Sequence, residues 1–335
     1  MAQNYLSGGG TVCLHAFEDM DGWTKVPASH TKSDQTYMPF GQGVEVTITR
    51  TNNAERIFGV GARNATATIN KQFGGSFTIN GVLSNAYWLL GVLGANADGG
   101  EAGAYTHTYT EADILPSFTT TQSFELGTTD FATDLIGCII NTCTISASVN
   151  EALKFTLEGI YRYENLGTTY VADLADTEPV FTFAHGSIEM PDGTDIAAIQ
   201  SFELIINNNV EAVYGAGSRF MTAVVAKNRE YNFSCTAAFN DYTTLLTYFM
   251  NGTNSASAPD AGSGTEIANL ELIFTNDDGD ILDINLTGVH LNEETLPQNI
   301  NEVVKEDVTG WARVCTNIVY TNDVQTAPAA ATNIA

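Results

Sequence analysis

The chain has 335 residues, enough for two domains of ordinary size with a core each. Hydrophobic residues make up 44% of it, which excludes a disordered polar chain. The formal net charge of −26, from 39 acidic and 13 basic side chains, excludes a protein that coats nucleic acid, because phosphate binding needs clustered Lys and Arg. We attribute the acidity to solubility, with a salt-loving host as the alternative.

Targeting signals are not evident in the sequence. The first ten residues are polar and glycine-rich, without the charged and apolar regions of a secretory signal. The longest apolar run, residues 87–95, is half as long as a membrane-spanning helix needs. We therefore expect a soluble protein without a membrane partner.

The cysteines favour a reducing environment. Their number is odd, no Cys-x-x-Cys pair occurs, and most lie in apolar stretches where a thiol behaves as a small hydrophobe. We expect reduced, buried thiols and synthesis in the cytoplasm rather than disulfides. The five are Cys13, Cys138, Cys143, Cys235 and Cys315.

Strand-forming residues dominate the chain, and Gly and Asn punctuate it, so a mostly-β protein is predicted. The chain also repeats itself. Residues 46–94 match 202–250 at a shift of 156 without a gap, and residues 137–162 match 288–313 at a shift of 151. Identical pairs include Asn52/Asn208, Asn53/Asn209, Glu55/Glu211, Gly59/Gly215, Gly61/Gly217, Arg63/Arg219, Lys71/Lys227, Phe77/Phe233, Gly137/Gly288, Asn141/Asn292, Gly159/Gly310 and Arg162/Arg313.

Two matching stretches in the same order indicate a tandem duplication. The predicted plan is an N-terminal arm (1–43), a first domain (44–170), a connector (171–199), a second domain (200–320) and a C-terminal tail (321–335). The tail is rich in Ala, Thr and Asn and is expected to fray.

Each copy opens with a strand, predicted at residues 44–51 and 202–206, that ends at an Asn cluster. Asn tolerates positive φ, so a turn is predicted there. The Gly-x-Gly-x-Arg that follows, at Gly59 and Gly215, resembles a phosphate loop but lacks a third glycine and a following helix, so a tight turn or bulge is the preferred interpretation. Further strands are predicted at 65–69 and 75–79, and at 221–226 and 231–237.

One helix per copy comes next. In the first copy Ser84 is the predicted cap of a stripe formed by Ala86, Leu89, Leu90 and Leu93. In the second copy Asn240 or Asp241 caps Tyr242, Leu245, Leu246 and Phe249. A short helix with one apolar stripe must lie against a sheet, so both stripes are predicted as core.

A hairpin closes each copy. In the first, residues 140–149 and 152–161 alternate between a polar and an apolar face, joined at Asn150-Glu151, with Cys143, Ile145, Ala147 and Val149 on the apolar side. A wholly polar face needs bulk water or a wide aqueous channel beside it. The polar faces consist of Thr142, Thr144, Ser146, Ser148, Lys154, Thr156 and Glu158, and of Glu293, Thr295, Lys305, Asp307 and Thr309.

Catalytic and metal-binding patterns are missing from the sequence. The five histidines are scattered, and no phosphate loop, Gly-x-Ser-x-Gly or His-Glu-x-x-His occurs. Residues 276–280 resemble a calcium loop in composition but lack its glycine offset and closing Glu, so a solvated turn is predicted there and at 19–22. We predict no catalytic residue, no cofactor and no metal.

The closing hairpin of the first copy, GCIINTCTISASVNEALKFTLEGIY, resembles the tail tube proteins of tailed phages and archaeal viruses, with its Gly-Cys-x-x-Asn start and Ser-Ala turn region. The stretch IQSFELIINNNVEAVYG resembles the opening of the second domain in the same family, where a strand ends in an Asn triplet. The resemblance covers roughly residues 40–320.

This resemblance implies a mostly-β fold of two tandem tail-tube-like β-sandwich or barrel domains, each with one flanking helix. Six such domains form a ring whose inner sheets join into a barrel, and stacked rings conduct DNA. Two fused domains imply homotrimeric rings with pseudo-sixfold symmetry. The implied partners are other copies of the chain, the tail terminator, tape measure and baseplate proteins, and viral DNA that passes without specific binding.

The twelve polar hairpin residues are then expected to face the lumen of a virion tail assembled in the host cytoplasm. The arm 1–43, the segment 95–116, which is predicted as a long loop, and the connector 171–199 are candidates for contacts between stacked rings. The alternatives are a baseplate hub or tail-tip protein with two tube domains, a surface or fibre β-sandwich protein, and an enzyme. Copy number in the virion separates the tube protein from the hub.

Overall fold

The structure is a computed structural model that describes residues 11–18, 38–61, 63–124, 131–167, 178–190, 199–238, 266–296 and 304–323. These residues are mostly β, as predicted. The strands are β1 (Thr11–Phe17), β2 (Met38–Pro39), β3 (Gln42–Phe58), β4 (Ala65–Val82), β5 (Gly94–Glu101), β6 (Ala104–Glu111), β7 (Phe118–Phe124), β8 (Phe131–Ser148), β9 (Lys154–Tyr161), β10 (Tyr163–Gly167), β11 (Gly186–Glu189), β12 (Ile199–Asn207), β13 (Glu211–Tyr214), β14 (Met221–Val225), β15 (Glu230–Ala238), β16 (Ile267–Thr275), β17 (Ile281–Thr295) and β18 (Lys305–Asn322).

A central antiparallel sheet of eight strands organises the molecule. Its order is β3-β4-β9-β8-β12-β15-β18-β17. The first four strands belong to the first half of the chain and the last four to the second half. Within each half the strands pair in the same order at the two shifts seen in the sequence, and β8 joins β12 where the halves meet.

Each half adds an outer layer because one strand changes partners along its length. Near Gly137, where φ is 69°, β8 passes from β9 and β12 to β7 and β10. Near Gly288, where φ is 67°, β17 gains β16 as a partner. Positive φ of this size costs glycine little, which is a physical reason for glycine at both shift-related positions.

Aromatic side chains fill the space between the layers. The rings of Phe77 and Phe118 lie 5.9 Å apart between β4 and β7, and those of Phe202 and Phe274 lie 5.2 Å apart between β12 and β16. Such contacts bury large apolar areas and favour one packing arrangement of the two layers. Both halves are therefore built as a central sheet with an outer sheet packed on it.

The predicted loop at 95–116 is wrong in its type, because most of it forms the hairpin β5–β6, and β6 pairs with β18. Tyr105, His107 and Tyr109 alternate with threonines, which is a strand pattern. The predicted N-terminal arm also contributes strands: β1 pairs with β2 and β7. Within the predicted connector, β11 pairs with β16.

The predicted turn at Asn52-Asn53 is wrong. β3 continues through these residues with a register irregularity, and the chain reverses at residues 59–61, so β3 and β4 form one long exposed hairpin. The tight turn predicted at Gly59 is confirmed. In the second half the Asn turn is confirmed: β12 ends at Asn207, Asn209 has φ 48°, and β13 and β14 form a separate two-stranded hairpin. We call the hairpin β3–β4 the first arm and the hairpin β13–β14 the second arm; both are distinct from the N-terminal arm (1–43).

The predicted first helix is present but short. A 3-10 turn at Tyr87–Leu89 leads into α1 (Leu90–Leu93). The predicted stripe is fully buried, as expected. Ser84 is not the N-cap, because Ala86 occupies that position without a side-chain capping bond. The second predicted helix lies outside the described residues. The helical turns of the described chain are far too short to reach across a bilayer.

Candidate assembly interface

All twelve residues of the predicted polar faces lie on one face of the central sheet. Direct cross-strand partners share a face, and the registers Thr142–Glu158, Thr144–Thr156 and Ser146–Lys154 continue from β8 into β12 and on to β17. The second set follows through Thr309–Glu293 and Asp307–Thr295. The two hairpins predicted separately thus form one polar surface.

The residues predicted from the sequence lie on the closing hairpins alone, and most of this surface lies outside them. β3, β4, β12 and β15 place further polar side chains in register with the twelve. Their alternation of polar and apolar residues was the available signal. The added residues are Glu45, Thr47, Thr49, Thr51, Ser76, Thr78, Asn80, Ser201, Glu203, Asn207, Glu230, Asn232, Ser234 and Thr236.

This polar face is acidic. The residues that these registers place on the polar face include six carboxylates and two lysines, Lys154 and Lys305. Lys154 forms an ion pair with Glu151 at 3.0 Å. Asp307 accepts a hydrogen bond of 2.7 Å from Thr236. The six carboxylates are Glu45, Glu158, Glu203, Glu230, Glu293 and Asp307.

The opposite face of the sheet is the core. Cys143, Ile145 and Ala147 are buried as predicted, whereas Val149 is 46% exposed because it lies in the turn beyond the end of β8. Asn150 has φ 64° at this turn, so the predicted hairpin connection is confirmed. One covered face and one exposed face suit a sheet that borders a water-filled space.

The junction between β8 and β12 connects the two halves. Its register runs from Ser148–Ser201 to Thr142–Asn207, in an unbroken antiparallel ladder. At the end of the ladder, the backbone amide of Asn208 donates to the Asn141 carbonyl at 2.8 Å. The amide of Val210 donates to Asn141 Oδ1 at 2.7 Å. Asn141 therefore fastens the chain where it leaves the sheet.

Asn208, whose backbone amide bonds to Asn141, is 1% exposed. Its Nδ2 donates to the carbonyls of Val92, at the end of α1, and of Ile140. Its Oδ1 accepts from Arg229 Nε at 2.7 Å. A buried amide with every polar atom engaged stabilises one arrangement of the elements that meet there, here α1, β8 and the chain leaving β12.

The two arms lie side by side. The amide of Phe73 donates to the Arg219 carbonyl at 2.8 Å, and Arg219 Nε donates to the Lys71 carbonyl at 2.9 Å. Arg219 also bonds to Asn52, and Tyr214 Oη donates to the Phe73 carbonyl at 3.1 Å. Arg219, the arginine of the second Gly-x-Gly-x-Arg, therefore binds backbone groups and the Asn52 side chain of the first arm.

Residues related by the sequence shifts make the same contacts within each arm. Lys71 pairs with Glu55, and Lys227 with Glu211. The hydroxyls of Thr66 and Thr222 donate to the carbonyls of residues 57 and 213, both at 3.2 Å.

Both ends of the central sheet are open within the part of the chain that the structure describes. Among the described residues, the central-sheet part of β3 (45–51) pairs with β4 alone, and the end of β17 (290–295) pairs with β18 alone. Such an edge presents a row of unpaired backbone groups that can pair with another strand. By the shift of 156, residues 45–51 of β3 correspond to the paired residues 201–207 of β12. By the shift of 151, residues 293–295 of β17 correspond to 142–144 of β8, which also lie in the junction.

Two buried carboxyls stand apart from the polar face. Glu18 accepts from Ser117 at 2.8 Å, from Thr119 at 2.5 Å and from the Gly137 amide at 3.0 Å; burial raises its pKa, and these bonds partly offset the rise. Glu306 lies on the apolar face, and burial together with the neighbouring Glu294 raises its pKa to about 7. The copy-one residue at this position is Phe155.

The described residues contain no group of three side chains suited to hold a metal ion. Residues 276–280 form the turn between β16 and β17, where Asn276 Oδ1 accepts from the amides of Asp278 and Asp280. A groove of about 370 Å³ beside β14 is mainly apolar, and Asp113 is among its lining residues. His30 and residues 19–22 lie outside the described part of the chain. The five cysteines form no disulfide; Cys235 is partly buried and the other four are buried.

These features define a class: a β-structural protein whose central sheet is buried on one face, polar on the other and open at both edges. The sequence profile of a family described as phage tail tube protein matches residues 25–308. The chain therefore belongs to the phage tail tube protein family, whose members are structural parts of the virion tail and not enzymes. A search of curated protein sequences found no significant match.

Proposed function

We propose that the chain polymerises through its sheet edges into rings of three, and that the stacked rings form the tube that delivers viral DNA to the host. One observation carries this proposal: the chain already contains one junction of the required kind, between β8 and β12. Its two open edges, on β3 and β17, correspond to the two partners of that junction.

A head-to-tail contact of this kind closes into a ring when its rotation is right, and closure removes the open edges. Each chain supplies two similar halves, so three chains supply the six units of a pseudo-sixfold ring. The number six comes from the family resemblance. The open edges correspond in position to the two strands of the internal junction. This correspondence supports a similar rotation between each pair of neighbouring units around the ring.

In such a ring the polar face borders the lumen, and the outer layers face away from it. Six carboxylates against two lysines repel phosphates, so DNA slides past without specific binding. The partners are then other copies of the chain, the tail terminator, the tape measure protein and the baseplate. Assembly takes place in the host cytoplasm, and the product is part of the virion.

Negative-stain electron microscopy of the purified chain over a range of concentrations tests the proposal. Rings or hollow tubes with three- or sixfold end views are expected. Particles that stay monomeric at every concentration would overturn it. A baseplate hub would instead be present in a few copies per virion, which quantitative gel analysis of purified particles measures.

A further inference from the structure

We infer that the end of β17 pairs with β3 of the next chain in one definite antiparallel register, fastened by Asn292 and made specific by a glutamate–arginine pair. The inference deepens the proposed ring assembly and rests on it. It names which residues of a second copy meet which residues of the first.

The register follows from the internal junction. There Thr142 stands opposite Asn207, Cys143 opposite Ile206 and Thr144 opposite Ile205. Adding 151 to the β8 residues and subtracting 156 from the β12 residues transfers these pairs to the open edges. The resulting pairs between chains are Glu293–Thr51, Glu294–Arg50 and Thr295–Thr49.

The fastening follows from the same transfer. Asn292 stands where Asn141 stands in the first half, and Asn52 stands where Asn208 stands. The backbone carbonyl of Asn141 accepts a hydrogen bond from the Asn208 amide, and Asn141 Oδ1 accepts one from the Val210 amide. The transferred bonds run from the amides of Asn52 and Ala54 of one chain to Asn292 of the other.

These groups are accessible in the single chain. Asn52, Ala54 and Asn292 are exposed, whereas Asn208 is buried. The ladder of β3 with β4 is also irregular at this place, with Asn52 opposite Phe73 and Ala54 opposite Asn70. Such an irregularity leaves backbone groups outside the ladder, where a second chain can bind them.

Charge distinguishes the junction between chains from the one within the chain. The internal junction has the buried apolar pair Cys143–Ile206, and the transferred pair at the same place is Glu294–Arg50. Arg50 is half exposed and bound to Glu164, and Glu294 lies beside Glu306. Opposite charges face each other when β17 meets β3. Two β17 edges or two β3 edges would instead bring like charges together, which disfavours wrong pairing.

Cysteine cross-linking of the full chain tests the register. The double variant Thr295→Cys, Thr49→Cys places two thiols directly opposite one another, within disulfide reach. Oxidation of assembled protein should give covalent multimers up to a closed trimer on a non-reducing gel. The variant Thr295→Cys, Thr51→Cys is the matched control: it is slipped by two residues on the same face and should cross-link poorly. The parent chain gives the background from its own cysteines.

Two further variants test the contacts. Asn292→Ala should raise the concentration needed for assembly by about tenfold, as expected for a lost hydrogen bond between chains. Asn165→Ala, an exposed asparagine on β10, is its control and should assemble normally. Arg50→Glu and Glu294→Arg should each impair assembly, and the two together should restore it.

The outcomes separate this inference from the proposed function. If the parent chain forms no rings, the proposed function fails. If rings form but the slipped cysteines cross-link as well as the aligned ones, the register is wrong. Normal assembly of the Asn292→Ala variant, or no rescue by the charge exchange, would equally overturn the inference while leaving ring assembly intact.

Discussion

Asn208 shows how much one buried side chain does in this fold. It holds the end of α1, the strand β8 and Arg229 together, and its backbone binds Asn141. The sequence marked Asn208 as a repeated turn residue. Its contacts with Val92 and Ile140 join residues far apart in the chain, which local patterns do not reveal.

We expect Asn208→Ala to lower the free energy of unfolding by about 2–3 kcal/mol, because Arg229 Nε and the carbonyls of Val92 and Ile140 lose their hydrogen bonds to the buried side-chain amide. Urea denaturation below the assembly concentration measures it, since assembly would add its own stability. The control Asn165→Ala should change the value by less than about 0.5 kcal/mol. A similar loss in both variants would contradict the role of Asn208.

Glu306 makes stability depend on pH. Its pKa in the folded chain is about 7, above the ordinary value of 4.5. The folded chain therefore holds this proton more tightly than the unfolded chain, so the contribution of Glu306 to stability is greatest below pH 4.5 and declines as the pH rises to 7.

The variant Glu306→Gln should accordingly have a higher Tm than the parent at pH 8 and nearly the same Tm at pH 4.5. Thermal unfolding of the unassembled chain measures this difference. Glu158→Gln, on the exposed polar face, is the matched control for the loss of one carboxylate. An equal gain from Glu306→Gln at both pH values would mean that the substitution acts through packing instead.

Among the elements, the β4–β9 and β15–β18 pairs share one device. Gly159 lets the ring of Phe77 pack on the strand, and Gly310 does the same for Phe233. A Cβ at either glycine would stand 2.5 Å from the Cζ atom of its phenylalanine. The sequence showed both glycines as repeated identities but gave no reason for them.

We expect Gly159→Ala to destabilise the fold by roughly 2 kcal/mol, in the range found for overpacked cores. Gly74→Ala is the matched control, because a Cβ there meets Thr51 Cβ at an ordinary 3.6 Å. Urea denaturation of the two variants checks the difference. Equal stability would contradict the close approach of Phe77.

For the whole molecule, the acidic polar face makes a prediction about DNA. Tubes assembled from the variant Glu158→Lys, Glu203→Lys should bind DNA, and salt should weaken the binding steeply, because lysines replace repulsion by phosphate contacts. Tubes of the parent chain should not retain DNA. Filter binding over a salt series measures this.

The control for that experiment is Asp277→Lys, in the exposed turn between β16 and β17. It should leave DNA retention near the parent level. If Asp277→Lys retains DNA as well as the double variant does, the polar face does not border the path of DNA.

Local patterns were enough for part of this picture. The alternation in the closing hairpins placed all twelve polar residues on one face, and the apolar stripe found the core side of α1. Local patterns gave the wrong prediction where the structure of a segment depends on residues far along the chain. Residues 95–116 include strands because β6 pairs with β18, and Asn52 lies exposed within β3, whereas Asn208 is buried beyond the end of β12.

The sequence by itself determined the mostly-β class, the repeated order of strands, and the two-faced character of the closing hairpins, because these follow from residue type and spacing within a few positions. The domain boundaries remain predictions. Only the tertiary structure decided that the two halves share one sheet, since strand pairing joins residues more than fifty positions apart. It also decided which edges stay open, because an edge is defined by the absence of a partner in the folded chain.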